Sequence, residues 1–472
     1  MSSHAAQEEE WQPELPAAAL NGPIYLAIAD RLAADIAAGR LRPGQRLPPH
    51  RSLAEALGVD LTTVTRAYNE ARRRGLIEAG VGRGTFVRAA MPQPGTVEPL
   101  VRSPAVDLGM NLPSLPSDAA FGARFVAGVA TLQTRPDFLA LLTYRSQAGS
   151  EEDRAAAVAW LRPLLPGLPP ERVLVVAGIQ AGLVALMTTC LEPGDTVVTE
   201  QLTYQRFIAL AGQLRIGLAG VPVDGEGLIP EALERACLKH RPKALYCVPT
   251  IHNPTTATMS PARRQAVAAI ARKYGLAVFE DDAYGLLPQQ PLAPLAALLP
   301  EKGFYLSGLA KFIAPGLRIA YLVAPDAAQA ARIAAAVRAT TVMAAPLMAA
   351  LATQWINDGS AVAIRDAIRR ESMARQKIAA RILPIGAVAA HPQGHHVWLD
   401  LPPAWTAGQY AAYAQSIGLA AVPGEVFAVG KVARNGVRLA LGAAETRESL
   451  EASLRLAAAA IDQPPAILST FL

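Results

Sequence analysis

The sequence predicts a multidomain α/β protein: a small helical module ending in a two-stranded wing, then a large body built on a mostly parallel sheet with helices on both faces. Three observations predict it. The chain has 472 residues, more than one hydrophobic core ordinarily serves, so two or more domains are expected. Its charge is localised: residues 22–88 hold 11 Arg against 6 Asp or Glu, a surplus of +5 that equals that of the whole chain (44 − 39), so everything else sums to zero. Beyond residue 104, short β-branched apolar runs alternate with longer helical stretches, the pattern of strands buried on both faces.

From the N-terminus, residues 1–21, opening MSSHAAQEEEWQPELP, read as a disordered tail, acidic where a secretory signal would be basic and then apolar. No apolar run reaches the roughly 18 residues that span a bilayer. Cys190, Cys237 and Cys247 stand at no metal-like spacing and suggest no disulfide framework. A cytoplasmic protein without a membrane partner is the expectation.

Residues 22–88 read as helix, helix, turn, helix and wing. Pro23 suits the first helical position, and Ile24, Ile28, Leu32 and Ile36 recur at helical spacing up to Gly39. A short helix comes after the prolines in LPPHRSLAEALG, Gly58 breaks it, Asp60 caps the next helix, and Gly75 ends that one after TTVTRAYNEARRR. LIEAGVGRGTFV then alternates around a glycine-rich turn, as a hairpin does. A basic module on a neutral body points to a polyanion partner for the module alone.

Residues 89–104 carry four prolines and no period, which reads as an extended, semi-stiff tether. In the body, residues 105–465, the strands are expected in RVLVVAG, DTVVTE, KALYCVP, LAVFED, GFYLSG and LRIAYLVAP. Ligand sites in such sheets lie beyond the carboxyl ends of the strands. The residues just past these strands make a chemically coherent set: Gly178-Ile179-Gln180 opening a helix, then Tyr204, Asn253, the run Asp281-Asp282-Ala283-Tyr284, and Lys311 with Arg318 seven residues on. Backbone N–H groups at a helix start are placed to hold a phosphate.

Two resemblances rest on these residues. The 49 positions GRLRPGQRLPPHRSLAEALGVDLTTVTRAYNEARRRGLIEAGVGRGTFV resemble the winged helix-turn-helix of the GntR regulator family. That implies a recognition helix beginning near Leu61 in the major groove of double-stranded operator DNA, with Arg51, Thr62, Thr63 and Gly82 at contact positions. Leu61 and Thr65 stand where other members read guanine with arginine, so Thr65, Arg66, Arg83 or Tyr68 would complete a different readout. Arg72 to Arg74 fit either phosphate contact or a solvated helix end.

The strand-end residues of 105–465, in their order and spacing, resemble the class I/II aminotransferases of fold type I, with a smaller C-terminal α+β subdomain; with the module, the chain looks like the MocR subfamily of GntR regulators. The resemblance implies pyridoxal 5'-phosphate. Lys311 matches its Schiff-base lysine. Of the adjacent carboxylates, the spacing to Tyr284 selects Asp281 for the pyridine nitrogen. Asn253 and Tyr284 would meet the ring oxygen and Tyr204 the ring face. Gly178, Ile179, Gln180, Ser307 and Arg318 would hold the phosphate, joined by Tyr144 from a partner subunit. Gly308 and Ala310 replace hydroxyl residues that many relatives carry there, which shifts weight onto Ser307, Arg318 and backbone N–H groups. Arg438 matches the arginine that takes an α-carboxylate, and Arg206 is either a reader of a second anionic group or a surface arginine. His252 and the pair His395-His396 lack acidic or cysteine partners at ligand spacing and are expected to make ordinary polar contacts rather than a metal site.

The residues allow two functions. The first is a transcription regulator whose aminotransferase-like body senses an amine or amino acid, or pyridoxal phosphate itself. The second is a working aminotransferase with a DNA-binding appendage; the arginine-bearing module favours the first. The resemblance also implies a homodimer, with modules crossing onto the partner's body as one arrangement. A tether of about seventeen residues at roughly 3.1 Å each spans about 50 Å.

Overall fold

The computed structural model describes residues 11–13, 23–38, 40–42, 44–74, 76–80, 84–87, 106–146, 148–431 and 434–463. Gly82 and Arg83 of the wing, the tether over 89–104, and the stops Gly39 and Gly75 lie outside them. The chain divides into two units near residue 101.

In the first unit, α1 (Ile24–Ala37), α2 (His50–Leu57) and α3 (Leu61–Arg73) precede a hairpin of β1 (Ile77–Gly80) and β2 (Gly84–Val87), in which Ile77 faces Val87. Pro23 precedes α1 as its cap. Gly58 ends α2 in the left-handed region at φ 60°, a conformation that costs glycine nothing. The Asp60 carboxylate accepts from the Thr62 amide at 2.7 Å and so satisfies an orphan donor of α3. Ile28, Leu32, Leu53, Val64, Ala67 and Ala71 share one core. Trp11 joins it at 9% exposure, and its Nε1 donates to Asp35 at 2.9 Å. The expectation of a disordered tail over residues 1–21 therefore fails at Trp11: an indole buries a large apolar area there while keeping its N–H paired.

The second unit centres on seven strands, in spatial order Val173–Val176, Ala320–Val323, Gly303–Gly308, Ala277–Asp281, Ala244–Cys247, Thr196–Glu200 and Gly217–Val221. All run parallel except Ala320–Val323, which is antiparallel to both neighbours. The strands are apolar throughout because both faces are covered. Val173, Val175, Tyr305 and Tyr321 enter one core, while the alternate residues Leu174, Val176, Leu306 and Leu322 enter another. The edge strand Gly217–Val221 was not expected from the sequence; its two glycines weaken the strand signal.

A smaller antiparallel sheet orders Val388–Ala390, His396–Asp400, Gly436–Ala440 and Val422–Pro423. With the Ala407–Ser416 and Arg447–Ile461 helices it forms a separate core around Val397, Leu399, Tyr410 and Leu450. Val106–Asp107 pairs with Leu419–Ala420 of this part, which starts the 108–112 strap toward the large sheet. Among the described residues no helix is long and apolar enough to cross a membrane.

Candidate functional site

Because six of the seven central strands are parallel, the ends of five of them deliver side chains to one edge of the sheet. Arg318 reaches the same edge by preceding the single antiparallel strand. There a cavity of about 290 Å³ is lined by Gly178, Ile179, Gln180, Tyr204, Arg206, Asn253, Asp281, Tyr284, Lys311, Arg318 and Arg438, together with the strap residues Gly109 to Leu112. The sequence-predicted residues are thus gathered, except two.

Ser307 is buried but does not line the cavity. Strand alternation turns it to the face of its cross-strand neighbour Tyr321, while Leu306 and Gly308 face the Ile179–Cys190 helix. The phosphate role expected of Ser307 is therefore corrected. Gly308 itself has no room for a hydroxyl-bearing side chain without movement, since a Cβ there would lie 3.1 Å from Ile179 Cγ1. Tyr144 is 84% exposed and stands outside its own chain's cavity.

Lys311 comes after the Gly303–Gly308 strand in a single 3-10 turn. Its Nζ donates to the Asn111 carbonyl. Burial, then the Arg438 charge, lowers its amine to about 7, against the opposing pull of Asp281. Asp281 ends its strand fully in the interior; burial raises its carboxyl to about 6 although Tyr246 Oη donates to Oδ2 at 2.8 Å. Its other oxygen, Oδ1, is buried with no hydrogen-bond partner among the described residues. Asp282 points the opposite way, where Tyr305 Oη donates to it at 2.9 Å; the pleat, not chemistry, separates the two carboxylates.

Gly178 caps the Ile179–Cys190 helix at φ 87°, and a Cβ there would lie 2.8 Å from Arg318 Nη2. The helix's first amides and the guanidinium therefore converge on one point, a ready cradle for an oxyanion. Arg438 is buried on the Gly436–Ala440 strand. Its Nη1 donates to Asn253 Oδ1 at 3.0 Å and its Nη2 to the Gly109 carbonyl.

These residues fit pyridoxal phosphate. A buried carboxylate oxygen with an unused lone pair suits a cationic ring N–H, the glycine cradle suits a phosphate, and a lysine held near neutrality suits a carbonyl. One residue of the site, Asn111, was missed, and it leans on His396, for which ordinary polar contacts were expected. The Asn111 amide Nδ2 donates to Tyr284 Oη at 2.8 Å and faces His396 Nδ1 at 3.3 Å. No motif or spacing marks Asn111, since 173 positions separate it from Tyr284.

On the first unit, Arg51 and Thr62 are exposed at the starts of α2 and α3, and Thr63 is half-buried. Thr65 Oγ1 donates to the Leu61 carbonyl at 2.9 Å. The Arg66 guanidinium lies 4.3 Å from the Tyr25 ring centroid, a cation–π seat. Tyr68 cannot read a base: it is buried and its hydroxyl donates to the Pro48 carbonyl at 2.9 Å. Arg73 and Arg74 pair with Glu70, in accord with a solvated helix end.

Fold and cavity together define a fold type I pyridoxal-phosphate protein joined to a helix-turn-helix unit. The chain belongs to the aminotransferase class I and II family, whose model matches residues 115–455, and residues 24–87 match that of the bacterial regulatory proteins of the gntR family. It is 29% identical over 448 residues to the HTH-type transcriptional regulator YdeF of Bacillus subtilis, spanning 94% of this chain and 96% of that one. The vitamin B6 salvage pathway transcriptional repressor PtsJ of Salmonella typhimurium is also 29% identical, over 390 residues, 81% of this chain and 86% of that one. Among solved structures, the Pyrococcus horikoshii kynurenine aminotransferase, in complex with PMP, superposes with a TM-score of 0.69 at 25% identity, covering 76% of this chain and 91% of that one. The cofactor of this site is pyridoxal 5'-phosphate, and DNA is the partner class of the first unit.

Proposed function

We propose that the chain is a pyridoxal-phosphate-dependent transcription regulator that senses an amine or amino acid. The observation that carries this is the presence, in one chain, of a gntR-type unit with exposed Arg51 and Thr62 and of a cavity holding Lys311, Asp281 and Arg438. Bound pyridoxal phosphate supplies a carbonyl carbon that takes an amine and a ring that withdraws electrons.

The chain's own residues would do the rest. Lys311 would present its neutral amine to that group, and Asp281 Oδ1 would accept a hydrogen bond from the ring N–H. Arg318 and the amides of the Gly178–Gln180 turn would hold the phosphate, and Tyr204 would pack against the ring. Asn253 spends its oxygen on Arg438, which leaves its N–H₂ as the donor to the ring oxygen beside Tyr284. Arg438 offers the planar fork for an α-carboxylate. Arg206, exposed at the cavity rim, would read a second anionic group.

An effector amine that displaced Lys311 from the cofactor would free it to donate to the Asn111 carbonyl, while an effector carboxylate on Arg438 would compete with the Gly109 carbonyl. The strap follows the tether in sequence by way of Val106–Asp107, so its two states would bias the DNA-binding units. Val126, Leu139, Leu142 and Tyr144 are exposed, which supports a homodimer whose partner covers them and lends Tyr144 to the phosphate. Operator half-sites would then be paired, and the protein would act in the cytoplasm. The similarity to PtsJ, a repressor of vitamin B6 salvage, makes the cofactor itself a second candidate effector.

Purified protein mixed with an amino-acid panel and a keto acid tests the reading. Spectral change without multiple turnover supports a sensor; rapid turnover supports the enzyme reading, for which the same cavity residues would serve.

A further inference from the structure

His396 lies in the interior, and its Nε2 sits 3.2 Å from the His252 carbonyl oxygen. A carbonyl only accepts, so Nε2 carries the ring's proton. Burial, with Arg438 next in weight, holds the ring well below the usual histidine range; it is neutral, and Nδ1 is a bare acceptor. The Asn111 atom facing Nδ1 at 3.3 Å must then be the amide N–H₂, which orients the whole side chain. The same N–H₂ donates to Tyr284 Oη at 2.8 Å. A phenol oxygen that accepts there keeps its own proton for another acceptor, and Tyr284 lines the cofactor cavity.

We propose that Asn111 is a positioning residue: oriented by His396, it commits the Tyr284 hydroxyl to donate into the cofactor cavity. This rests on the reading of the cavity as a pyridoxal-phosphate site. The bonds run outward from Asn111: its two amide hydrogens go one to His396 Nδ1 and one to Tyr284 Oη, and His396 gives its own Nε2 proton to the His252 carbonyl. They also join the strap to the hydroxyl that meets the ring oxygen. The charged and titratable groups around Tyr284 are Asp281, Arg438, Tyr204 and the rings of His395 and His396; none of them replaces the Asn111 donor.

The test is the pH titration of the visible band of the full-length, cofactor-loaded protein. A donor lost from the ring oxygen makes the chromophore hold its proton more tightly. Asn111→Leu, close to isosteric and without an N–H, should therefore raise the titration midpoint, by about one pH unit at most. The shift must need Tyr284: in a Tyr284→Phe background, Asn111→Leu should move the midpoint much less. If Asn111→Leu does not fold, Asn111→Asp keeps the shape, and the part of its shift that disappears in the Tyr284→Phe background measures the same coupling. Equal shifts in both backgrounds, or none in either, overturn the proposal while the band itself persists. A native protein with no band at all overturns the cofactor reading instead.

Discussion

Arg318 occupies the space that a side chain at Gly178 would need: a Cβ there would come within 2.8 Å of its Nη2. The pair joins a helix N-terminus to a guanidinium, and it does so only because residue 178 has φ 87° and no side chain.

Gly178→Ala should therefore strain the backbone and displace Arg318 together, at a cost of about 1–3 kcal/mol. Titration of the variant with pyridoxal phosphate should show affinity about tenfold lower or worse, whereas Gly167→Ala, with open space around its Cβ, should leave cofactor affinity as it is.

Lys311 should govern the pH dependence of cofactor uptake. Its amine is lowered from 10.5 to about 7, so between those values the unfolded chain holds the proton and the folded one does not. Stability of the cofactor-free protein gains from this group as pH rises through that window, and the burial penalty is full below about 7. The reactive neutral amine tracks the folded value, so the rate of uptake should rise with a midpoint near 7, read by stopped-flow absorbance. A midpoint above 9 would mean that the amine is solvated.

Arg206 lines the cavity from the exposed side. Arg206→Ala should weaken ligands with a second anionic group by about tenfold and leave simple amino acids unchanged, since a hydrogen bond to a charged group is worth about 1.5–3 kcal/mol. Equal loss for both ligand types would leave Arg206 as a general electrostatic contributor.

Arg51→Ala should weaken DNA binding nearly uniformly across sequences and reduce the salt slope by about 1 if the arginine meets a phosphate. The cofactor spectrum should not move, because Arg51 belongs to the first unit and the cavity to the second.

Much of this was legible in the chain because α/β topology turns sequence order into spatial order. Gly178, Tyr204, Asn253, Asp281 and Lys311 each end a strand or come after one, and parallel strands put their ends on one edge. The residue that was missed lacks such a rule. Asn111 and His396 meet across 285 residues through packing of the strap on the smaller sheet, which no periodicity encodes. Ser307 was misplaced because one position along a strand reverses the face. Tyr68 was within reach: Val64, Ala67, Tyr68 and Ala71 form the buried stripe of α3, a helical spacing that argues for the core.

The central claim is that occupancy at Lys311 is read by the DNA-binding unit. The direct measurement is DNA affinity of the full-length protein, on a fragment selected in vitro by the native chain, with and without pyridoxal phosphate and a panel of amino acids. The account predicts that at least one ligand changes the native affinity, and that Lys311→Ala still binds the fragment but no longer responds. A Lys311→Ala protein that responds to the same ligand as the native chain does would contradict it.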